Sequence, residues 1–375
     1  MADIEIISTL NTISIYINKI FPIILLIVGT FGHTCNILIF SKRTQRTNPI
    51  AIYFLSSTIV NLIIVYIGVF IRYLQDNWNM DPVNNDLIVC RIRSFLQYLS
   101  FSLSNWYILL ATVDRYLISS ENNNRRQLSS VKNAYRIIFF TTITFILLYC
   151  HILILYNIQS YPTSSNNLQN YCYPQRGWYR TFNDVQLLIQ FSLLPPILMS
   201  IFITFILKNI HTSHQRIANT VVPRHHARIK KRDLQLSKML LFQVLITIIC
   251  SLPLAISQLI TTMSLTWTKT PLRLAVEAFL SLIGRQLAYM NCSISFYIYT
   301  LAGSQFRLEI RRTINDITVV LCRKRLLEKS RIGIDRGLSP AHAQVASARQ
   351  QTQQPKVAGS NQNDVQTTEN QDNQV

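Results

Sequence analysis

Seven stretches of the chain, each about twenty residues or longer, carry little or no charge, and they limit what it can fold into more than any other feature. They run from Ile20 to Ser41, Thr47 to Ile71, Ser94 to Val113, beyond Arg136 to about Asn157, Val185 to Leu207, Met239 to about Thr262, and about Leu272 to Leu301. A hydrocarbon layer about 30 Å thick is crossed by about 20 apolar residues, each rising about 1.5 Å along a helix. The runs are rich in Ile, Val, Phe and Thr, a composition that in water leans towards strands. In lipid every backbone N–H and C=O must find its partner inside the protein, so only helices and closed barrels can cross. Barrel strands are about ten residues long and alternate in polarity. These runs are twice that length and do not alternate, so they are read as helices. The seventh differs from the others in holding Glu277 and Arg285 in its outer half.

Composition agrees with a membrane protein. Only 14% of the 375 residues are charged, against about 25% in a soluble domain, too few to cover the surface of an ordinary soluble enzyme. At 49% hydrophobic, most of the chain is not disordered. The net charge of +19 lies between the apolar runs, so a bilayer rather than nucleic acid is the expected surrounding. The first connection holds Lys42, Arg43 and Arg46, and the third holds Arg125, Arg126, Lys132 and Arg136. The fifth holds eight basic residues between Lys208 and Lys238. In the even connections Arg176, Arg180, Lys269 and Arg273 stand against Asp76, Asp81, Asp86 and Asp184. The excess of positive charge puts the odd connections and the tail in the cytoplasm and the N-terminus outside. The start, Met1 to Glu5, lacks the basic region of a cleavable signal peptide, and the first apolar run is long enough for a full crossing.

The expected organisation is an all-α membrane protein: an extracellular N-terminus over 1–19, a seven-transmembrane helix bundle over 20–302, a short amphipathic eighth helix over 303–320 and a disordered cytoplasmic tail over 321–375. Phe306, Ile310, Ile314 and Ile317 recur at helical spacing with Arg307, Arg311 and Arg312 between them, a pattern for a helix lying on the inner leaflet. Cys322 beside Arg323-Lys324-Arg325 is a lipidation candidate. Beyond about Ser330 the chain is dominated by Gln, Asn, Ser and Thr. The seven cysteines show no CxxC and no Cys/His ligand spacing, so no metal or other cofactor is expected. His225-His226 reads as part of a solvated basic segment.

Particular residues narrow the class. Asp114-Arg115-Tyr116 closes the third run at its inner end, and Cys90 opens it 25 residues before Arg115, a length of about 37 Å that links the two faces of a bilayer. Cys172 lies in the long outer connection after the fourth run. This constellation resembles the rhodopsin-like family of G-protein-coupled receptors over about residues 20 to 314. Gly32 and Asn36 fit that family's first-helix pattern, Pro195 or Pro196 its fifth-helix proline, and Cys250-Ser251-Leu252-Pro253 its sixth-helix element. Tyr299 and Gly303 to Arg307 fit its seventh helix and the start of the eighth. The chain departs from the family at Asn61, usually Asp, and at Ser251, usually Trp. Ser295-Phe296 stands where Asn-Pro is usual, the fourth run lacks the family's Trp, and the fifth lacks its inner Tyr.

The resemblance implies that Cys90 is disulfide-bonded to Cys172. It also implies that Asp114, Arg115, Tyr116 and Tyr299 serve coupling to a G protein. Asp233, at the inner start of the sixth run, is the candidate clamp on Arg115. Gln97 stands where amine receptors of the family carry Asp, so an amine would lack its counter-ion. Arg285 is costly in lipid and is expected to face the bundle interior. With Arg93, Gln97, Gln258 and Tyr289 it forms the candidate ligand site, suited to a carboxylate or other acidic group. Asn36, Asn61, Ser104, Asn291 and Ser295 are expected to form a polar core of interhelical hydrogen bonds. An amide at Asn61 is a poorer ligand for a hard cation than the family's carboxylate, so strong sodium binding is not expected.

The reading is a plasma-membrane receptor that binds an extracellular ligand, a peptide or a carboxylate-bearing molecule, in the manner of a neuropeptide receptor. It would activate a cytoplasmic heterotrimeric G protein, with arrestin a further candidate partner. The alternative is a transporter or channel for an acidic small molecule, which predicts internal repeats and interrupted helices. A light sensor needs a lysine in the seventh run, and none lies between Leu272 and Leu301. No HExxH and no pair of intramembrane aspartates suggests an enzyme.

Overall fold

The computed structural model describes residues 2–78, 80–162, 168–218, 224–264, 267–302, 306–315 and 318–319, without the side chains of 161–169 and 213–239. Contacts divide the chain into units of 1–313 and 314–375. Of the second unit, the described residues 314, 315, 318 and 319 are helical. Cys322 and the tail from 321 lie outside the described residues.

The first helix is Ala2–Phe40. It begins at Ala2 rather than at Ile20 because neither Gly nor Pro occurs before Pro22 to stop it, and Asp3 and Glu5 suit the positive end of its dipole. Its 39 residues make about 58 Å, so residues expected as a separate N-terminal segment continue the helix outward. The second helix is Pro49–Ile63, a π-helical stretch Ile64–Phe70, and Ile71–Trp78. The third, Leu87–Ser119, is capped by the Asp86 carboxylate, which accepts from the backbone N–H of Ile88 (2.7 Å) and Val89 (3.1 Å). The fourth is Val131–Tyr149 with the short turn Ile152–Leu155.

The expectation of helix to about Asn157, and of an all-α chain, is corrected at this point. Strand β1, Tyr156–Pro162, pairs antiparallel with β2, Leu168–Pro174, and places Ile158 opposite Cys172. Outside the hydrocarbon the backbone can pair across a hairpin, and the β-branched and aromatic residues of this segment suit one.

The fifth helix is Trp178–Leu187, a π-helical stretch Leu188–Leu193, and Leu194–Ala218. The Leu194 N–H reaches Ile189 O. Continued in that register, the next donors would serve Gln190 and Phe191, but positions 195 and 196 are prolines with no N–H. The third helix fills the gap. Trp106 Nε1 donates to Gln190 O (3.1 Å) and Asn105 Nδ2 to Phe191 O (2.9 Å).

The sixth helix, Arg224–Met263, holds Pro253 in its interior. The seventh is Pro271–Ser293, a break at Ile294, and Ser295–Ala302; residues 306–315 are again helical. The first helix packs on the second, the second on the third and fourth, and the third on the fourth and fifth. The fifth packs on the sixth, the sixth on the seventh, and the seventh returns to the first. Among the described residues, five helices are long and apolar enough to cross a membrane: Asp3–Phe40, Pro49–Trp78, Val131–Leu155, Trp178–Thr212 and Leu240–Met263.

Of the described glycines, Gly284 leaves the least room for a side chain. A Cβ there would lie 2.7 Å from the Leu254 backbone nitrogen and 2.9 Å from the Pro253 carbonyl carbon. Both are main-chain atoms and cannot swing aside, so the sixth and seventh helices would have to separate. Gly284→Ala is expected to destabilise the protein by about 1–3 kcal/mol, read as a lower melting temperature of the full chain in detergent.

Candidate ligand site and cytoplasmic switch

At the outer end, Cys90 and Cys172 are joined in a disulfide with Cα atoms 5.6 Å apart. The bridge fastens the hairpin to the third helix, and further contacts hold it down. Arg91 Nε donates to Tyr156 O (3.0 Å), the Cys172 N–H donates to Asn84 Oδ1 (2.7 Å), and the Ser94 hydroxyl lies 3.4 Å from the Cys172 sulfur.

Beneath it, Gln97 Nε2 donates to the Tyr289 hydroxyl (3.2 Å), joining the third and seventh helices. Tyr289 is 1% exposed and stacks on Phe101. It fits because Gly68 has no side chain: a Cβ there would lie 2.8 Å from the Tyr289 ring. Arg285 has Arg72, Tyr289, Asp76 and Tyr173 as electrostatic neighbours, and Arg72 Nε also bonds Asp76 Oδ2 (3.1 Å). Among the described residues, Arg93 Nε, Gln97 Oε1, Gln258 Oε1 and Arg285 Nε are buried without a hydrogen-bond partner. Glu277, the carboxylate of the seventh run, is held by Lys269 Nζ and by Arg273 Nε (2.9 Å).

Sequence reasoning missed a second outer network. Arg180 and Asp184, noted there only as outer-connection charges, are each 4% exposed. Thr262 of the sixth helix donates its hydroxyl proton to Asp184 Oδ2 and accepts from Arg180 Nε (3.1 Å). The Arg180 guanidinium lies over the Tyr173 ring of the hairpin, 4.5 Å from its centroid. The spacing of Arg180 and Asp184, one helical turn apart, was the available signal.

In the middle, Ser104 Oγ donates to Asn61 Oδ1 (2.6 Å), Ser57 Oγ to Ser104 O (3.2 Å), and Thr247 Oγ1 to Asn291 Oδ1 (3.3 Å). The amide of Asn36 and the hydroxyl of Ser295 are buried and, among the described residues, have no hydrogen-bond partner. His33, one turn before Asn36, is fully buried and was also missed, although an ionisable residue inside an apolar run marks itself.

At the inner end, Asp114 (5% exposed) accepts from Ser129 Oγ (2.9 Å), and Arg115 beside it is 8% exposed. The Tyr116 hydroxyl accepts from Arg125 Nη1 (2.9 Å), and its ring packs on Phe202 and Phe205. Tyr299 is 1% exposed among Phe40, Phe54 and Phe306. The side chain of Asp233 lies outside the described residues, as do those of His225 and His226.

A chain with several helices long and apolar enough to cross a membrane, a disulfide-tethered hairpin at one end of the bundle and a charged triplet at the opposite end is built as a multi-pass membrane receptor. It matches the 7 transmembrane receptor (rhodopsin family) over residues 34–299 and belongs to that family. Members of the family are receptors that act through G proteins, and they are not enzymes. No curated protein matches the chain.

The Thr262 hydroxyl bridges Arg180 and Asp184, so Thr262→Val leaves both buried charges short of a partner. The expected cost is about 1–3 kcal/mol, seen as a lower melting temperature in detergent, whereas Ser264→Ala, which removes only local bonds to Ile260 O and Thr261 O, should cost less.

Proposed function

We propose that the chain crosses the plasma membrane seven times with residues 1–19 outside and the tail inside, binds an extracellular peptide, and activates a heterotrimeric G protein. Helices three and seven complete the seven crossings: their polar side chains face neighbouring helices instead of lipid. The helical stretch from residue 306 is read as the amphipathic eighth helix on the inner leaflet, and arrestin is a further partner of the inner face.

The observation that supports the ligand assignment is that four polar atoms of the candidate site, Arg93 Nε, Gln97 Oε1, Gln258 Oε1 and Arg285 Nε, are buried without a hydrogen-bond partner among the described residues. Buried polar groups without partners cost about 1–3 kcal/mol each, so a ligand that supplies the missing bonds recovers that cost on binding. Two guanidinium donors and two amide acceptors suit, by their chemistry, a carboxylate flanked by N–H groups. A peptide end offers both. A small carboxylate satisfies only the arginines and is the second reading.

The test is a second-messenger screen in cells expressing the chain, using peptides with free-acid and amidated C-termini, with Arg115→Ala as the silent control. Charge-assisted bonds are worth about 1.5–3 kcal/mol, so Arg285→Gln should weaken a free-acid agonist roughly tenfold or more and leave its amidated form little changed. Equal responses of the variant and the parent to both forms would rule out Arg285 as the acid anchor.

Asp233 and Arg115 are proposed as the two ends of a clamp between the third and sixth helices that holds the resting state. Asp233→Ala should then raise ligand-free signalling severalfold at matched surface expression; unchanged basal signalling would dismiss the clamp.

A further inference from the structure

The π-helical stretch Leu188–Leu193 and the prolines that follow leave a groove on the membrane side of the fifth helix, against the sixth. Leu193, Pro196, Ile197, Ile201, Ile248 and Leu252 line most of a space of about 390 Å³. It opens towards lipid: Ile197 and Ile201 are 53% and 43% exposed, and Leu245, Ile249 and Ile256 of the sixth helix are exposed around it. No charged residue lines it. Its two serines are already engaged, since Ser192 Oγ donates to Ser251 O (3.0 Å) and Ser200 Oγ to Pro196 O (2.8 Å).

Water does not suit such a space, because a held water needs two to four polar partners. Hydrocarbon does. A dry cavity of about 150 Å³ takes up benzene, so about 390 Å³ scales to roughly fifteen carbons. We propose that this groove is a binding site for the acyl tail of a bilayer phospholipid. The tail lies beside Pro196 and Leu252, which flank the Ser192–Ser251 hydrogen bond between the fifth and sixth helices. Its occupancy is therefore coupled to the separation of those two helices, and this sets it apart from lipid packed on the outer face of the fourth helix.

The experiment uses the full chain in phosphatidylcholine nanodiscs in which a fraction of the lipid carries a diazirine midway along one acyl chain. After irradiation, labelled peptides are mapped by mass spectrometry. Residues 192–201 and 248–252 should be labelled at least threefold above 139–147 of the fourth helix, which also faces lipid through Phe139, Phe140 and Leu147. Ile197→Trp places an indole in the groove and should bring labelling down to the fourth-helix level. Ile201→Trp, which also lines the groove, should lower it likewise, and Ile143→Trp should leave it unchanged. A second arm supplies the same diazirine on free palmitate. Even labelling over all lipid-facing segments, labelling indifferent to both groove substitutions, or labelling by palmitate without labelling by phospholipid would each overturn the proposal.

Discussion

Two carbonyls set the geometry of this protein. In hydrocarbon a main-chain oxygen has no water to fall back on, and leaving it unpaired costs several kcal/mol. Pro195 and Pro196 remove two consecutive donors from the fifth helix, and Trp106 and Asn105 replace them on Gln190 and Phe191. The bond partners are adjacent on each helix, so they fix both the height and the rotation of the fifth helix against the third. A slide of one residue would strand both oxygens. The Ser192 hydroxyl extends the same arrangement to Ser251 O on the sixth helix. With the fifth helix held at this level, its outer turns bring Arg180 and Asp184 to Thr262 and Tyr173. The hairpin is thus tied from two sides, by the disulfide to the third helix and by the Arg180 guanidinium to the fifth.

The third helix shows why an interior helix need not look like a membrane span. Ser94, Ser100, Ser102, Ser104 and Asn105 are all under 5% exposed. Ser102, Ser104 and Asn105 bond to the fourth, second and fifth helices and Ser94 meets the hairpin, so the segment is too polar to stand among the five that could cross on apolar length alone. The seventh helix follows the same logic, with Arg285 and Tyr289 in the candidate ligand site and Glu277 neutralised by Lys269 and Arg273. The fourth helix, which presents Phe139, Phe140 and Leu147 outward and is the least buried of the five, carries the strongest apolar signal because lipid is most of what it touches.

This division explains what could be read in advance. Long uncharged runs identify helices without reference to their neighbours, and the pairing of Cys90 with Cys172 was implied by family resemblance. Helix ends were less legible. The first, third and sixth helices run past the charged residues taken as boundaries, because outside the bilayer a charge does not stop a helix, and no Gly or Pro stands between those charges and Ala2, Asp86 or Arg224. The hairpin was missed because β1 continues an apolar run that reads as helix, and a strand's partner lies in another segment. The π stretches and the Asn105 and Trp106 caps were invisible for another reason: a carbonyl's need for a donor depends on what its own helix has lost, and the donor comes from a different helix.

The seventh helix carries that argument to the inner end. It bends without the proline that its family commonly places there. Ser293 Oγ donates back to Tyr289 O (2.9 Å), a bond that competes with the helix ladder and favours bending, and the helical path breaks at Ile294. Below the break, the Tyr297 hydroxyl donates to Val28 O of the first helix (3.2 Å), and Tyr299 is closed in by Phe40, Phe54 and Phe306. Arg307 Nη1 then donates to Thr300 O and Leu301 O, satisfying carbonyls at the helix end where a cation is favoured by the dipole. A proline would have fixed the bend whatever surrounded it. A serine and a ring of aromatic contacts hold it only while the neighbours stay in place, so in this chain the shape of the seventh helix depends on the packing of the first and second.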